Sequence, residues 1–122
     1  MDLSYYTVEA SGTLLDAAQA ISKNKSRCVV VVDQQKVIGV ISEGDLVRAL
    51  LRGTDIMSLM RRFVHHGFVY LEEKNFERAL PLFYGHGISL IPVLDQSLAL
   101  KDVITLSDML ARVKLDESKV GT

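Results

Sequence analysis

The sequence predicts a mixed α/β fold, of the α+β kind, in which two tandem repeats, each a small sheet with two main helices, pack in pseudo-two-fold symmetry. Three observations carry that expectation. Ser26 to Asp33 reads SRCVVVVD and, sixty-two positions later, Ile88 to Asp95 reads ISLIPVLD, an apolar run closed by aspartate in both copies. With one residue inserted in the turn, Val40-Ile41-Ser42-Glu43-Gly44-Asp45-Leu46 is matched by Val103-Ile104-Thr105-Leu106-Ser107-Asp108-Met109, the shared pattern being apolar, apolar, hydroxyl, two free positions, Asp, apolar. Upstream of each run, Leu14, Ala17, Ala18 and Ile21 in the first copy and Phe76, Ala79, Leu80 and Phe83 in the second show the three-and-four spacing of one buried helix face.

In order, the first copy reads strand (Tyr6 to Glu9), helix (Leu14 to Lys23), strand (Cys28 to Asp33), strand (Val37 to Ser42) and helix (Gly44 to Leu51). The second reads Phe68 to Leu71, Phe76 to Gly85, Leu90 to Leu94, Leu100 to Ile104 and Ser107 to Val113. Thr13 with Asp16 three further on predicts an N-cap, as does Asn75 before Phe76. Pro81 removes a backbone donor inside the second copy's first helix and predicts a kink or a shorter helix there. Gln34-Gln35-Lys36 is a polar hairpin link, and the shorter pair Gln96-Ser97 holds the same place in the second copy. Gly53 is a candidate helix C-cap. Residues 54 to 60 predict another short helical piece, and the polar tail after Lys114 predicts fraying. Two short strands cannot bury both faces alone, so the copies are expected to pack face to face as one module over 1–122: repeat one about 5–53, linker 54–66, repeat two about 67–115, tail 116–122.

Composition narrows the function classes. Of 122 residues, 48% are hydrophobic and 24% charged, which suits a soluble folded domain. Fourteen basic residues against fifteen acidic ones leave a net charge of -1, with no general field for a nucleic acid. No basic leader precedes an apolar stretch at the N-terminus and no run approaches the length of a membrane span, so a cytoplasmic protein with no membrane partner is expected. Cys28 stands alone beside an apolar run, the place of a small buried thiol and not of a nucleophile.

The apolar strands ending in Asp33 and Asp95, the segment Gly39-Val40-Ile41-Ser42-Glu43-Gly44-Asp45, the piece Asp55-Ile56-Met57 and the run Ile91-Pro92-Val93-Leu94-Asp95 together resemble the CBS domain family, whose paired repeats are called Bateman modules. The resemblance spans roughly residues 5 to 52 and 67 to 114. It departs from the family at Asp102, where a glycine is usual, and at Val30, where the second copy has Pro92; Lys101-Asp102 beside a cleft puts the second copy's ligand site in doubt. Ser42 to Gly53 also resembles CBS pairs attached to sugar-phosphate nucleotidyltransferases.

What the resemblance implies is a regulatory module that binds an adenosine nucleotide (AMP, ADP or ATP), or S-adenosylmethionine or a cyclic dinucleotide, in clefts between the repeats, with no cofactor required. A carboxylate accepts the hydrogen bonds of two ribose hydroxyls, which gives Asp45 and Asp108 that role. Ser42 and Thr105, three residues earlier, put a hydroxyl at a helix start whose free N–H groups favour phosphate. By resemblance, Ser42, Asp45 and Val40 pair with Phe68, Ile88 and Ser89. The other cleft combines Thr105, Asp108 and Val103 with Tyr6, Ser26 and Arg27, adenine stacking on Tyr6 or Phe68 and Arg27 neutralising phosphate. The same hydroxyl-x-x-Asp spacing is also that of a helix capping box, so both readings stand for each segment.

His65 and His66 are adjacent in an extended segment, point to opposite faces and do not grip one metal ion. His86 lies between two glycines and reads as a loop residue, with reach to a phosphate as the other reading, and Arg61-Arg62 reads as a solvated basic pair. No glycine-rich loop with lysine, no Ser-His-Asp set and no paired carboxylates suggest catalysis, so the chain is not expected to be an enzyme. Two alternatives to sensing remain. One is a ligand-free homodimer scaffold joined through helices bearing Leu46, Leu50 and Leu51 with Met109, Leu110 and Val113. The other is a regulatory fragment of a sugar-phosphate nucleotidyltransferase or other enzyme, acting in cis or in trans, with an enzyme or transporter as the expected macromolecular partner.

Overall fold

The computed structural model describes residues 2–120. After a short 3-10 helix, Leu3–Tyr6, come β1 (Thr7–Glu9), α1 (Leu14–Asn24), β2 (Cys28–Asp33), β3 (Lys36–Ser42) and α2 (Glu43–Leu51). A second 3-10 helix, Met60–Phe63, leads to α3 (Phe76–His86), β4 (Leu90–Leu94), β5 (Leu100–Thr105) and α4 (Leu106–Val120). This is the expected mixed α/β architecture. One sheet has the order β1-β2-β3, with β1 parallel and β3 antiparallel to β2; the other is the antiparallel pair β4-β5.

The unbroken apolar run of β2 follows from burial on both faces. Val29 and Val31 join Leu14, Ala17 and Ile21 of α1 and Leu46 and Ala49 of α2 in a core private to the first half. Ile91 and Val93 of β4 do the same with Ala79 and Phe83 of α3 and Met109 of α4. The alternate positions meet each other: Cys28, Val30 and Val37 pack on Leu90, Leu94 and Val103, with Tyr6, Val40 and Phe68 at the margin. Four helices therefore flank two sheets that share a middle core, and the Val37 N–H donates across the halves to the Leu98 carbonyl at 2.8 Å.

Helix starts and stops follow local chemistry. Thr13 and Asp16 form a reciprocal capping box, and Asn75 accepts from the Arg78 N–H. At the end of α2 the Gly53 N–H donates to Leu50 and the Thr54 N–H to Ala49, the paired bonds of a Schellman stop, with Gly53 at φ 84. Gln34 and Gln35, at φ 51 and 68, form the two-residue hairpin between β2 and β3.

Several expectations need correction. Tyr6 ends the 3-10 helix and is not in the strand. Phe68 to Leu71 forms no strand, only one parallel bridge from Leu71 to Val93. The Leu71 N–H donates to the Pro92 carbonyl and the Leu94 N–H to Leu71; the next ladder bond toward Phe68 would come from residue 92, and proline has no N–H to give. Pro81 does not shorten α3, which runs through it, while Leu80 is half exposed and not on the buried face. The hairpin link of the second half is five residues, 95–99, because Asp95 leaves the strand to accept from the N–H groups of Ser97 and Ala99. Helix α4 extends to Val120 where fraying was expected, and Gly121 and Thr122 of that tail lie outside the described residues.

The helical piece expected at 54–60 is instead a turn closed by the Ser58 N–H on the Asp55 carbonyl, followed by the 3-10 helix from Met60. This connection is pinned to the first half. Leu14 and Leu15 donate to Ser58 and Ile56, Met60 donates to Gly12, and the Met60 side chain is fully buried in the first core.

Candidate functional site

Where β3 runs into α2, Ser42 is the N-cap in extended conformation. Its Oγ accepts from the Asp45 N–H at 3.2 Å, and its own N–H and Oγ–H donate to Asp45 Oδ2 at 2.8 and 2.9 Å. The capping-box reading of this segment is thus true of the protein. The second carboxylate oxygen is also taken: Oδ1 accepts from Arg48 Nη2 at 2.6 Å and lies 2.8 Å from His65 Nε2, which carries the proton because a carboxylate only accepts. Asp45 is buried while the Arg48 and His65 side chains are 60% and 63% exposed. Burial works against ionisation of Asp45, but the Ser42 N–H, His65 and the Ser42 hydroxyl outweigh it and hold the carboxyl below its ordinary value.

His65 reaches Asp45 because the connection crosses β3 here. Its N–H donates to the Val40 carbonyl at 2.9 Å and its carbonyl accepts from the Val40 N–H at 3.2 Å. Only glycine fits beneath: a Cβ on Gly39 would fall 2.3 Å from the His65 carbonyl oxygen and 2.4 Å from Val64 Cγ1.

A cleft of about 470 Å³ opens over Asp45, within the ~300–1,000 Å³ of small-molecule sites. The first half lines it with Arg27, Cys28, Val40, Ser42, Gly44, Asp45 and Arg48, the connection with His65, and the second half with Phe68, Val69, His86, Ile88 and Ser89. Ser42, Asp45, Val40, Phe68, Ile88 and Ser89, grouped by sequence, therefore meet in one groove. Cys28 stays a thiol at its floor, pushed up to about 12 by burial and then by the Asp45 charge.

The second expected set is not gathered with them. Arg27 is corrected to the Asp45 cleft: at φ 67 its side chain turns to within 3.9 Å of Glu43 at the start of α2. Ser26 is buried, its hydroxyl against Asn24 and the Cys28 carbonyl, and Tyr6 packs at the middle core. Thr105 and Asp108 exchange reciprocal cap bonds of 3.1 Å at the start of α4, and Val103 is buried. None of these five lines the Asp45 cleft. The backbone does preserve the repeat symmetry, since the first N–H of α2 donates to Arg27 and that of α4 to Ser89. Arg48 and His65 were not singled out by sequence as parts of this site, and His86, expected in a loop, is the last residue of α3 and lines the cleft. Arg48 carried a signal, being one helical turn from Asp45, whereas His65 carried none, because its place depends on where the connection crosses.

Two sheets sharing a core, flanking helices α1 to α4 and a cleft between the halves at a helix start define a tandem-repeat α/β module. Residues 1–52 match the family model described as "CBS domain". Over most of its length it folds as CBS pairs do. It is similar to a CBS domain pair/ACT domain protein of Thermotoga maritima (26% identity, TM-score 0.75, covering 94% of this chain and 93% of that one). It is also similar to the CBS domain protein PAE2072 of Pyrobaculum aerophilum complexed with AMP (18%, TM-score 0.75, 89% and 90%). A third match is the cytosolic domain of the Mg2+ channel MgtE in complex with ATP (20%, TM-score 0.71, 92% of this chain and 46% of that one). Among the described residues no helix is long and apolar enough to cross a membrane.

Proposed function

We propose that this chain is a regulatory sensor, one CBS-pair module, that takes an adenosine nucleotide (AMP, ADP or ATP) into the Asp45 cleft and passes on its occupancy as a change in how the halves pack. The observation that carries this is the cleft itself: both halves line it, so a ligand there touches both and favours the arrangement it fits best. The AMP and ATP complexes of structurally similar proteins support the choice of ligand. Ser42 and the start of α2 would face phosphate, Asp45 the ribose and Phe68 the base. The test is thermal unfolding with millimolar AMP, ADP, ATP, S-adenosylmethionine or a cyclic dinucleotide. A ligand at about a hundred times its Kd adds about 2.7 kcal/mol, and Asp45→Ala should abolish the shift. An unmoved Tm with every one of these would end the reading.

A second reading, a homodimer serving an enzyme or transporter partner, draws on apolar side chains left exposed on α2 (Val47, Leu50, Leu51) and α4 (Leu106, Leu110, Val113). Leu46 and Met109, grouped with them by sequence, are core residues. Light scattering on Leu51→Glu and Leu110→Glu tests it: a wild-type dimer that the two substitutions split supports it, and a wild-type monomer ends it.

A further inference from the structure

Resting on the sensor reading above, we propose that Arg48 and His65 read the phosphate chain of the ligand, held in reserve on Asp45 until the ribose takes their place, so that the site selects nucleoside polyphosphates. The argument begins with the crowding of one carboxylate. Oδ2 of Asp45 belongs to the helix cap, which cannot let go without fraying α2, so Oδ1 is the oxygen a ribose hydroxyl can reach. That oxygen is already shared by Arg48 at 2.6 Å and His65 at 2.8 Å. A hydroxyl arriving there displaces at least one of the two. The displaced groups do not leave the cleft, because both line it and both side chains are mostly exposed, free to turn without disturbing the core.

Where they turn is limited by the geometry. The Arg48 guanidinium lies across the first turn of α2, its Nη1 3.2 Å from where a Gly44 Cβ would stand and so beside Ser42, the position expected to meet phosphate. His65 is fixed by its backbone bridge to Val40, and its ring lines the same groove. Arg27 and His86 add donors at the margins, against Glu43 as the remaining acid. A nucleoside alone would exchange one or both of these bonds on Asp45 for that of its ribose hydroxyl and leave the displaced side chain without an anionic acceptor. With each phosphate added, the freed guanidinium and imidazole regain an anionic acceptor. Selectivity for chain length is built from this exchange of partners.

Calorimetric titration of adenosine, AMP and ATP, in EDTA so that no metal bridges the phosphates, tests the exchange on the full chain. Wild type should bind ATP at least tenfold more tightly than AMP, and adenosine weakest. Arg48→Ala and His65→Ala should each weaken ATP by tenfold or more while tightening adenosine severalfold, because the competitor for Oδ1 is gone. Arg48→Lys, which keeps charge and fold, should fall between. Equal losses for adenosine and ATP in both variants would mark the two residues as structural supports and overturn the exchange. ATP no tighter than AMP in wild type, with Asp45→Ala still abolishing AMP binding, would overturn it while leaving the sensor reading intact. No binding of any of the three by wild type would remove both.

Discussion

At the start of α2, Asp45 spends both oxygens, one on the Ser42 cap and one on Arg48 and His65, and it is buried at the floor of a cleft. At the start of α4, Asp108 exchanges cap bonds with Thr105 and is only partly buried. The same four-residue pattern thus makes a capped helix in both halves, but among the described residues only the first half shows a third element engaging the acid. That element is the connection between the halves, and what admits it is one residue: Gly39 in β3, where β5 has Asp102. The second half uses the position for an ion pair instead, Asp102 to Lys74 at 3.4 Å. A repeat copies the local chemistry, and the surroundings decide what it is used for.

The largest effect expected from breaking this contrast is at Gly39. Gly39→Val drives a side chain into the His65 backbone and should destabilise the protein by about 3 kcal/mol in denaturant unfolding, whereas Asp102→Gly should cost about 1 kcal/mol, the conformational freedom of glycine in a strand. Similar costs at both sites would show that the crossing contributes little. Next in size, Asp45→Ala should cost about 2 kcal/mol, a cap plus charge-assisted bonds, against about 1 kcal/mol for Asp108→Ala, a cap alone.

Acid titration sharpens the same comparison. The lowered Asp45 pKa means that its stabilising share is complete at neutral pH, declines as pH falls through the ordinary carboxyl value of 3.8 and is gone below the depressed one. Wild type and Asp45→Ala should therefore converge in stability as the pH drops below about 4, and a constant gap would contradict the assigned bonds. The smallest change is in the hairpin: Gln35→Gly relieves a left-handed residue and should raise stability by up to about 1 kcal/mol.

Much of the fold was legible because its signals are local. β2 and β4 begin and end where their apolar runs do, and Thr13, Asn75 and Gly53 mark helix ends through bonds to neighbours in sequence. Misreadings came where a distant partner decides. Phe68 to Leu71 has strand composition, but a proline twenty-odd residues on denies it a ladder bond; Leu80 fits the helical period, yet it is half exposed. Of the candidate site, the residues at the start of α2 and those facing them from the second half were legible through the repeat and its family resemblance. Arg27, grouped by sequence with the other set, lines the Asp45 cleft, and its left-handed backbone cannot be read from composition.

The route of the connection bears on how such a chain is divided. The bonds from Leu14, Leu15 and Met60 and the bridge at Val40 make residues 56–65 the closing strap of the first half. A fragment trimmed at Gly53 would lose the plug at Met60 and bare the amino end of α1. Grafting the front half onto another partner calls for a junction after His66, past the last residue that its own sheet holds in place.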